Sequence, residues 1–191
     1  MKPTPALNVT IVISLLRGVN VGGHNQIKMD TLRALYEALG LEDPKTYVQS
    51  GNVVFGTKER NLAGLAGRLE NAIERKFSFR PAVVLRTSAD LKDVLATNPF
   101  AKRHGLEPDK LAVVFFNEPP TKEACDEVLR VKTEGEEVQI RGREFYIYFP
   151  NGMGQSKLFA AIGRQLKSGT VRNWNTVTKL FEIAKKLEAG C

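Results

Sequence analysis

The chain has 191 residues, of which 42% are hydrophobic and 26% are charged, so it is long enough to bury a core, and its composition excludes disorder, collagen and coiled coil. No apolar run approaches the roughly 20 residues that a membrane-spanning helix needs, and no contact with a membrane is predicted. The formal net charge is +7, but the basic residues form no block or tail.

The first part of the chain predicts the element order βαββαβ. Residues 9–16, VTIVISLL, form a run of β-branched and apolar residues that is typical of a central strand. Apolar residues at helical spacing then predict a helix that begins near Met29 and ends before Gly40. The remaining predicted elements are a hairpin over 46–56, a second helix over 62–73 and a fourth strand over 81–87.

The second part of the chain repeats this order. Ser88 is predicted to cap a short helix that serves as a linker. The elements predicted after it are a strand over 110–116, a helix after Thr121, a hairpin over 136–149 and two further helices, with a last strand near Thr170. We therefore expect an α+β protein with two tandem ferredoxin-like units, 1–87 and 110–191, joined by a helical linker, 88–109, and packed as one compact molecule.

The main difference between the two units is the loop after the first strand. In the first unit this loop is long, polar and rich in glycine (17–28), whereas the matching loop of the second unit is short (117–121). Long loops of this kind often carry function. In a split βαβ unit the loop after strand one and the turn after strand two lie at the same end of the sheet. The turn Gln49–Asn52 is therefore predicted to lie beside the 17–28 loop.

Four segments resemble a known bacterial family, that of domain of unknown function 1697. They are LLRGVNVGGHNQIKM (15–29), TYVQSGNVVF (46–55), FPNGMGQSKL (149–158) and GTVRNWNTVTKL (169–180). The resemblance extends over nearly the whole chain and implies a pair of ferredoxin-like units, in agreement with the predicted element order. It implies no activity and assigns no catalytic residue.

Most polar side chains of these four segments are amides, hydroxyls and cations, and no carboxylate is among them. Such a set has many hydrogen-bond donors and little capacity as a general base, so it suits a phosphate, a carboxylate or a nucleotide. The candidate ligand-binding residues are Arg17, Asn20, His24, Lys28, Gln49, Ser50, Asn52, Asn151, Ser156, Lys157, Arg172 and Asn173.

Two of these candidates have an alternative structural role. Residues 150–157, PNGMGQSK, match no standard nucleotide motif, although their amide groups and Lys157 would meet an anion at the start of a helix. Equally, Ser156 can serve there as a helix cap. Asn173 is likewise placed to cap the last helix. Both interpretations remain open at this stage.

The leading functional hypothesis is the binding, with or without transformation, of a small anionic ligand such as a nucleotide or sugar phosphate. A nucleic-acid-binding protein that uses the basic surface is one alternative. An interaction module, in which the four segments are structural, is another. The two histidines and two cysteines are isolated, so neither a metal site nor a disulfide is predicted, and no cofactor motif is present. Few cysteines and no targeting segment predict a cytoplasmic protein.

Overall fold

The computed structural model of the chain describes residues 9–154, 156–165 and 169–190. These residues form two compact units and confirm the α+β fold with two ferredoxin-like sheets. One unit comprises the chain up to Asp90 together with the residues from Leu180 onward, and the other is Leu91–Lys179. No described helix is both long and apolar enough to cross a membrane.

The first unit contains the predicted βαββαβ order. Its elements are β1 (Thr10–Leu16), α1 (Met29–Ala38), β2 (Glu42–Tyr47), β3 (Asn52–Thr57), α2 (Leu62–Phe77) and β4 (Val83–Thr87), after which α3 (Ser88–Ala96) begins. The strand order in the sheet is β2-β3-β1-β4, and all neighbouring strands are antiparallel. This is the ferredoxin-like topology that the element order predicts.

The core of the first unit lies between this sheet and the two helices α1 and α2. Alternate residues of β1, among them Val12 and Leu16, pack with Leu32 of α1 and Leu69 of α2. Tyr36 of α1 is completely buried, and its hydroxyl hydrogen-bonds to that of Ser14 over 2.8 Å. Burial raises the pKa of Tyr36, so this hydroxyl stays protonated and the buried pair stays satisfied.

The second unit repeats the fold with shorter elements. They are β5 (Leu111–Phe115), α4 (Lys122–Leu129), β6 (Glu137–Arg141), β7 (Glu144–Tyr148), α5 (Lys157–Gln165) and β8 (Thr170–Asn173). The helix α6 (Trp174–Gly190) follows, and its residues from Leu180 onward belong to the first unit. The strand order β6-β7-β5-β8 is equivalent to that of the first sheet. The last strand that the sequence predicted near Thr170 is therefore present. A core of apolar residues from β5, β7, α4 and α5 lies on one face of the sheet.

Both sheets end in the same way, with a buried arginine followed by a helix cap. Arg86 of β4 is opposite Ile13 and fully buried, and Arg172 of β8 is opposite Val113 and 7% exposed. Each guanidinium donates to the backbone carbonyl of the preceding residue, at 2.8 Å and 2.7 Å respectively. The helix α3, predicted as a linker, and α6, predicted as one of two further helices, thus follow equivalent strands of the two sheets.

The caps differ from the sequence prediction in one place. Thr87, not Ser88, caps α3: its hydroxyl accepts from the Asp90 amide at 3.0 Å, and its own amide donates to the Asp90 carboxylate at 2.8 Å. This reciprocal capping box needs an acid three residues after the cap, which Thr87 has. Asn173 caps α6 as expected, since its side-chain oxygen accepts from the Thr176 amide at 2.8 Å.

The β2–β3 hairpin is also shifted from its prediction. The sequence favoured a strand that begins at Thr46 and ends at Ser50, whereas β2 spans Glu42–Tyr47 and contains Pro44. β2 is an edge strand with an irregular register between Glu42 and Lys45. An edge strand tolerates proline and a bulge because one row of its backbone groups needs no partner.

The caps formed by Thr87 and Asn173 lead to a prediction about the free energy of unfolding. Thr87→Ala removes the hydroxyl that accepts from the Asp90 amide and keeps the backbone N–H that donates to the Asp90 carboxylate, and Asn173→Ala removes the side-chain oxygen that accepts from the Thr176 amide. Each variant therefore loses one capping bond, and each should lower the free energy of unfolding by about 1 kcal/mol. For a chain of this length that corresponds to a melting temperature lower by about 2 to 4 °C, measured by calorimetry. Thr133→Ala, at an exposed turn position, is the control and should change little. An equal shift in all three variants would contradict the assignment of the caps.

Candidate functional site

The 17–28 loop is held in one conformation by the side chain of Asn20. The Asn20 amide nitrogen donates to the carbonyls of Ile27, at 3.0 Å, and Gln49, at 2.7 Å. Its amide oxygen accepts from the backbone N–H of Ile27 at 2.8 Å. Asn20 has a φ of 55°, a left-handed conformation that asparagine adopts more readily than most residues. The end of the loop and the β2–β3 turn are therefore fixed to the same side chain.

Gly51 brings the β2–β3 turn against the start of the loop. Its carbonyl accepts from the backbone N–H of Leu16 at 2.9 Å. Its φ is +72°, and a Cβ atom at this position would be 2.8 Å from the Cβ of Leu16. Only glycine allows both this conformation and this close approach. The prediction that the Gln49–Asn52 turn lies beside the 17–28 loop is confirmed.

The tip of the loop is a small exposed hairpin. Val21 pairs with His24, whose backbone N–H donates to the Val21 carbonyl at 3.0 Å. Gly22 and Gly23 between them both have positive φ, as a type I′ turn requires. The Val21 side chain is 63% exposed, and His24 is exposed as well. The loop is thus a defined structure with a solvent-facing tip.

An open cleft of about 850 Å³ lies between this loop, the turn and the start of α1, entirely within the first unit. Its walls are formed by the loop (Asn20, Gly23, Gln26 and Ile27), by Lys28, Met29 and Asp30, and by Gln49 of the turn. Five of these residues are exposed, so the cleft is accessible to solvent (Gly23, Gln26, Lys28, Asp30 and Gln49).

Hydrogen-bond donors and one positive charge dominate this cleft. Lys28 is exposed and forms no ion pair with any carboxylate of the described residues. It is the N-terminal cap residue of α1, but no side chain caps this helix end. In the described part of the chain the N–H groups of Met29, Asp30 and Thr31 therefore have no acceptor. The carboxylate of Asp30 is paired with Arg33 at 2.8 Å, so it leaves the charge of Lys28 uncompensated.

Four of the nine remaining sequence candidates belong to the first unit but do not line the cleft. Arg17 is half-buried at the beginning of the loop, where burial lowers the pKa of its guanidinium. His24 is at the exposed tip. Asn52 is fully buried and donates to the Tyr47 carbonyl at 3.0 Å and to the Ser50 hydroxyl at 2.9 Å. Asn52 and Ser50 thus shape the turn that carries Gln49.

The candidates of the 150–157 segment have carboxylate partners that the sequence analysis did not foresee. Lys157 pairs with Glu134 over 3.0 Å, and the Ser156 hydroxyl donates to Glu136 at 2.7 Å. That hydroxyl also accepts from the Phe159 amide at 3.1 Å, so Ser156 is the cap of α5. Its hydrogen bond holds the pKa of the Glu136 carboxyl below the ordinary value. Asn151 donates to the Glu134 carbonyl at 3.5 Å. This segment contains no carboxylate of its own, but two carboxylates from elsewhere in the sequence contact its side chains.

The two candidates nearest α6 are engaged within the second unit. The guanidinium of Arg172 donates to the Thr170 hydroxyl at 2.8 Å, and burial lowers the pKa of Arg172 to about 10. The segment that contains it forms β8, the last strand predicted near Thr170. Asn173 uses its side chain as the α6 cap.

Some residues that define these sites were missed at the sequence level. The sequence pattern identifies Asp30 only as a residue of α1. Asp30 lies in the first turn of this helix, however, where a side chain can also border the loop that precedes the helix. Glu134 and Glu136 precede β6, and in a split βαβ unit the start of the second strand is at the same end as the end of the third. That rule places them beside the 150–157 segment. Among the described residues no group of three or more metal-ligating side chains occurs.

The fold and the loop pattern define a tandem ferredoxin-like protein of one particular family. The family model described as "Protein of unknown function (DUF1697)" matches residues 9–146, and the chain belongs to this family. The structure of the conserved bacterial protein SP0830 from Streptococcus pneumoniae is similar, with 23% sequence identity and a TM-score of 0.77. The similarity covers 93% of this chain and 99% of that one. A search of curated proteins finds no match.

Two variants separate the contribution of the Asn20 side-chain hydrogen bonds to stability from the contribution of its backbone conformation. Asn20→Gly keeps the left-handed backbone but loses three hydrogen bonds, whereas Asn25→Gly, also at positive φ, loses only the bond from Asn25 to the Gly18 carbonyl. The Asn20 variant should therefore be less stable than the Asn25 variant by about 1 to 2 kcal/mol in urea unfolding. Hydrogen exchange at the Ile27 amide should rise only in the Asn20 variant. Equal losses in both variants would show that Asn20 does not hold the loop.

Proposed function

We propose that the cleft of the first unit binds a small anionic ligand such as a nucleotide or a sugar phosphate. One observation carries the proposal: a lysine without an ion pair among the described residues, the N–H groups of Met29 and Asp30, and the amide side chains of Gln26 and Gln49 lie at the same open cleft. Hydrogen-bond donors grouped around an exposed lysine attract anions. The uncapped beginning of α1 adds the partial positive charge of a helix N-terminus.

The hydrogen bonds within the cleft indicate a different role for each of three side chains. Asn20 uses both of its N–H donors on backbone carbonyls, so it positions the wall and does not donate to a ligand. Lys28 supplies the charge. Gln49 is exposed and its side chain has no other partner in the described chain, which leaves its amide for the ligand.

Asp30 favours an anion that also carries hydroxyl groups. Its carboxylate lines the cleft beside the donors and repels a bare dianion, although the pair with Arg33 reduces this effect. A carboxylate accepts hydrogen bonds from sugar hydroxyls. A sugar phosphate or nucleotide would therefore bind better than inorganic phosphate. The cleft volume of about 850 Å³ is sufficient for a ligand of that size.

Binding is favoured over catalysis by the residue types in the cleft. The lining side chains other than Asp30 include no carboxylate, histidine, cysteine or hydroxyl. Nucleophilic catalysis needs an activated nucleophile next to a base, and general acid–base catalysis usually needs a group that titrates near neutral pH. We therefore propose a binding protein for this site rather than a hydrolase.

The proposal predicts that Lys28→Met weakens the binding of an anionic ligand by about tenfold to a hundredfold. A charge-assisted contact is worth about 1.5 to 3 kcal/mol, which corresponds to this range. The measurement is calorimetry with ribose 5-phosphate, adenosine monophosphate and inorganic phosphate. Lys58→Met is the matched control, because it removes the same charge from an exposed lysine of the same unit that is paired with Glu42.

Two further arms of this experiment distinguish the alternatives. Lys157→Met tests the sequence prediction for the 150–157 segment, and it should leave binding unchanged because Lys157 is paired with Glu134. A short oligonucleotide tests nucleic-acid binding, whose affinity would fall steeply with salt. Equal binding by the wild type and the Lys28 variant, or no binding of any of the anions, would contradict the proposal.

A further inference from the structure

The strand β6 forms an edge of the second sheet. In the strand order β6-β7-β5-β8 its one neighbour is β7, with which it forms a hairpin through Gly142 and Arg143. Its five residues alternate between exposed and half-buried side chains. The exposed side chains are those of Glu137, Gln139 and Arg141. Val138 and Ile140 pack against the core of the second unit.

The register of the hairpin decides which backbone groups point outward. Arg141 is opposite Glu144 across a two-residue turn, and this closing pair exchanges hydrogen bonds. Because bonded and non-bonded pairs alternate, Gln139 and Glu137 also bond to β7, whereas Val138 and Ile140 do not. The backbone N–H and C=O groups of these two residues therefore point away from the sheet. Within the described part of the chain they have no other partner.

The other described edge strand at the equivalent position is protected, and β6 is not. β2 contains Pro44 and an irregular register between Glu42 and Lys45, which are devices that prevent pairing with another strand. β6 contains no proline, and its register with β7 is unbroken over all five residues. An unprotected edge of this kind is a template for a further strand.

We propose that β6 pairs with β6 of a second copy of this chain, antiparallel across a two-fold axis through Gln139. The outward groups of Val138 then bond to those of Ile140 in the partner copy. In the same register Glu137 of each copy is directly opposite Arg141 of the other. The sequence Glu-Val-Gln-Ile-Arg is thus complementary to itself, as a two-fold interface requires.

The charges present in the monomer agree with this register. Arg141 is exposed and forms no ion pair within the described chain. Glu137 is paired with Arg103, and its side chain remains 46% exposed. In the non-bonded pairs of an antiparallel ladder the side chains are closest, so Glu137 and Arg141 of opposite copies would be in direct reach. Dimerisation would join two four-stranded sheets into one of eight strands.

The test is sedimentation equilibrium of the full chain and of two charge-reversal variants, Arg141→Glu and Glu137→Arg. Each variant places like charges opposite each other twice per dimer, so its dimer should dissociate about tenfold more readily than that of the wild type. In an equimolar mixture of the two variants every opposing pair is again of unlike charge. The mixture should therefore recover the wild-type affinity as a heterodimer.

Two more variants separate strand pairing from other modes of association. Val138→Pro removes an outward N–H that β7 does not use, and it should abolish the dimer while circular dichroism shows a folded chain. Leu129→Ser removes a large apolar side chain that is 54% exposed in the same unit, and it should leave the dimer intact. A wild type that stays monomeric up to about 1 mM would overturn the proposal. So would a dimer that resists Arg141→Glu or is lost with Leu129→Ser.

Discussion

The side-chain amide of Asn20 connects the two parts of the 17–28 loop to each other and to the β2–β3 turn. It bonds to Ile27 at the far end of its own loop and to Gln49 in the β2–β3 turn. Because all of its N–H donors are used, the loop, the turn and the start of α1 keep a fixed spacing. Gly51 contributes by allowing the turn to approach Leu16. Lys28 and the N–H groups of α1 are therefore presented on a wall of fixed conformation, which would lower the entropic cost of the proposed binding.

The two units show how one fold acquires different surfaces. Both have the same strand order, a buried arginine in the last strand and a capped helix after it. They differ in the loop after the first strand, which forms the cleft wall only in the first unit. In the second unit the basic and hydroxyl side chains at the start of α5 are engaged by Glu134 and Glu136. The repeated parts explain the fold, and the differing parts are where ligand binding and self-association are proposed.

The fold was predictable because hydrophobic periodicity and turn residues act locally. The βαββαβ order, the Gly40 helix end and the contact between the 17–28 loop and the Gln49–Asn52 turn all followed from short-range patterns and one topological rule. The predictions for residues whose surroundings depend on tertiary neighbours were less accurate. Arg172 was a candidate ligand-binding residue, but it is buried in β8, and the burial of a single arginine depends on neighbours that are distant in sequence. Lys157 lies in a segment without carboxylates, but it pairs with Glu134, because folding brings together residues 23 positions apart.

The most direct test of the anion site is a titration of the ¹⁵N-labelled protein with ribose 5-phosphate, followed by nuclear magnetic resonance. The account predicts progressive shifts of the backbone amides of Lys28, Met29 and Asp30 and of the side-chain amide of Gln49, with smaller shifts in neutral ribose. The amides near Lys157 should not move. Shifts confined to the second unit, or none up to about 10 mM ligand, would contradict the account.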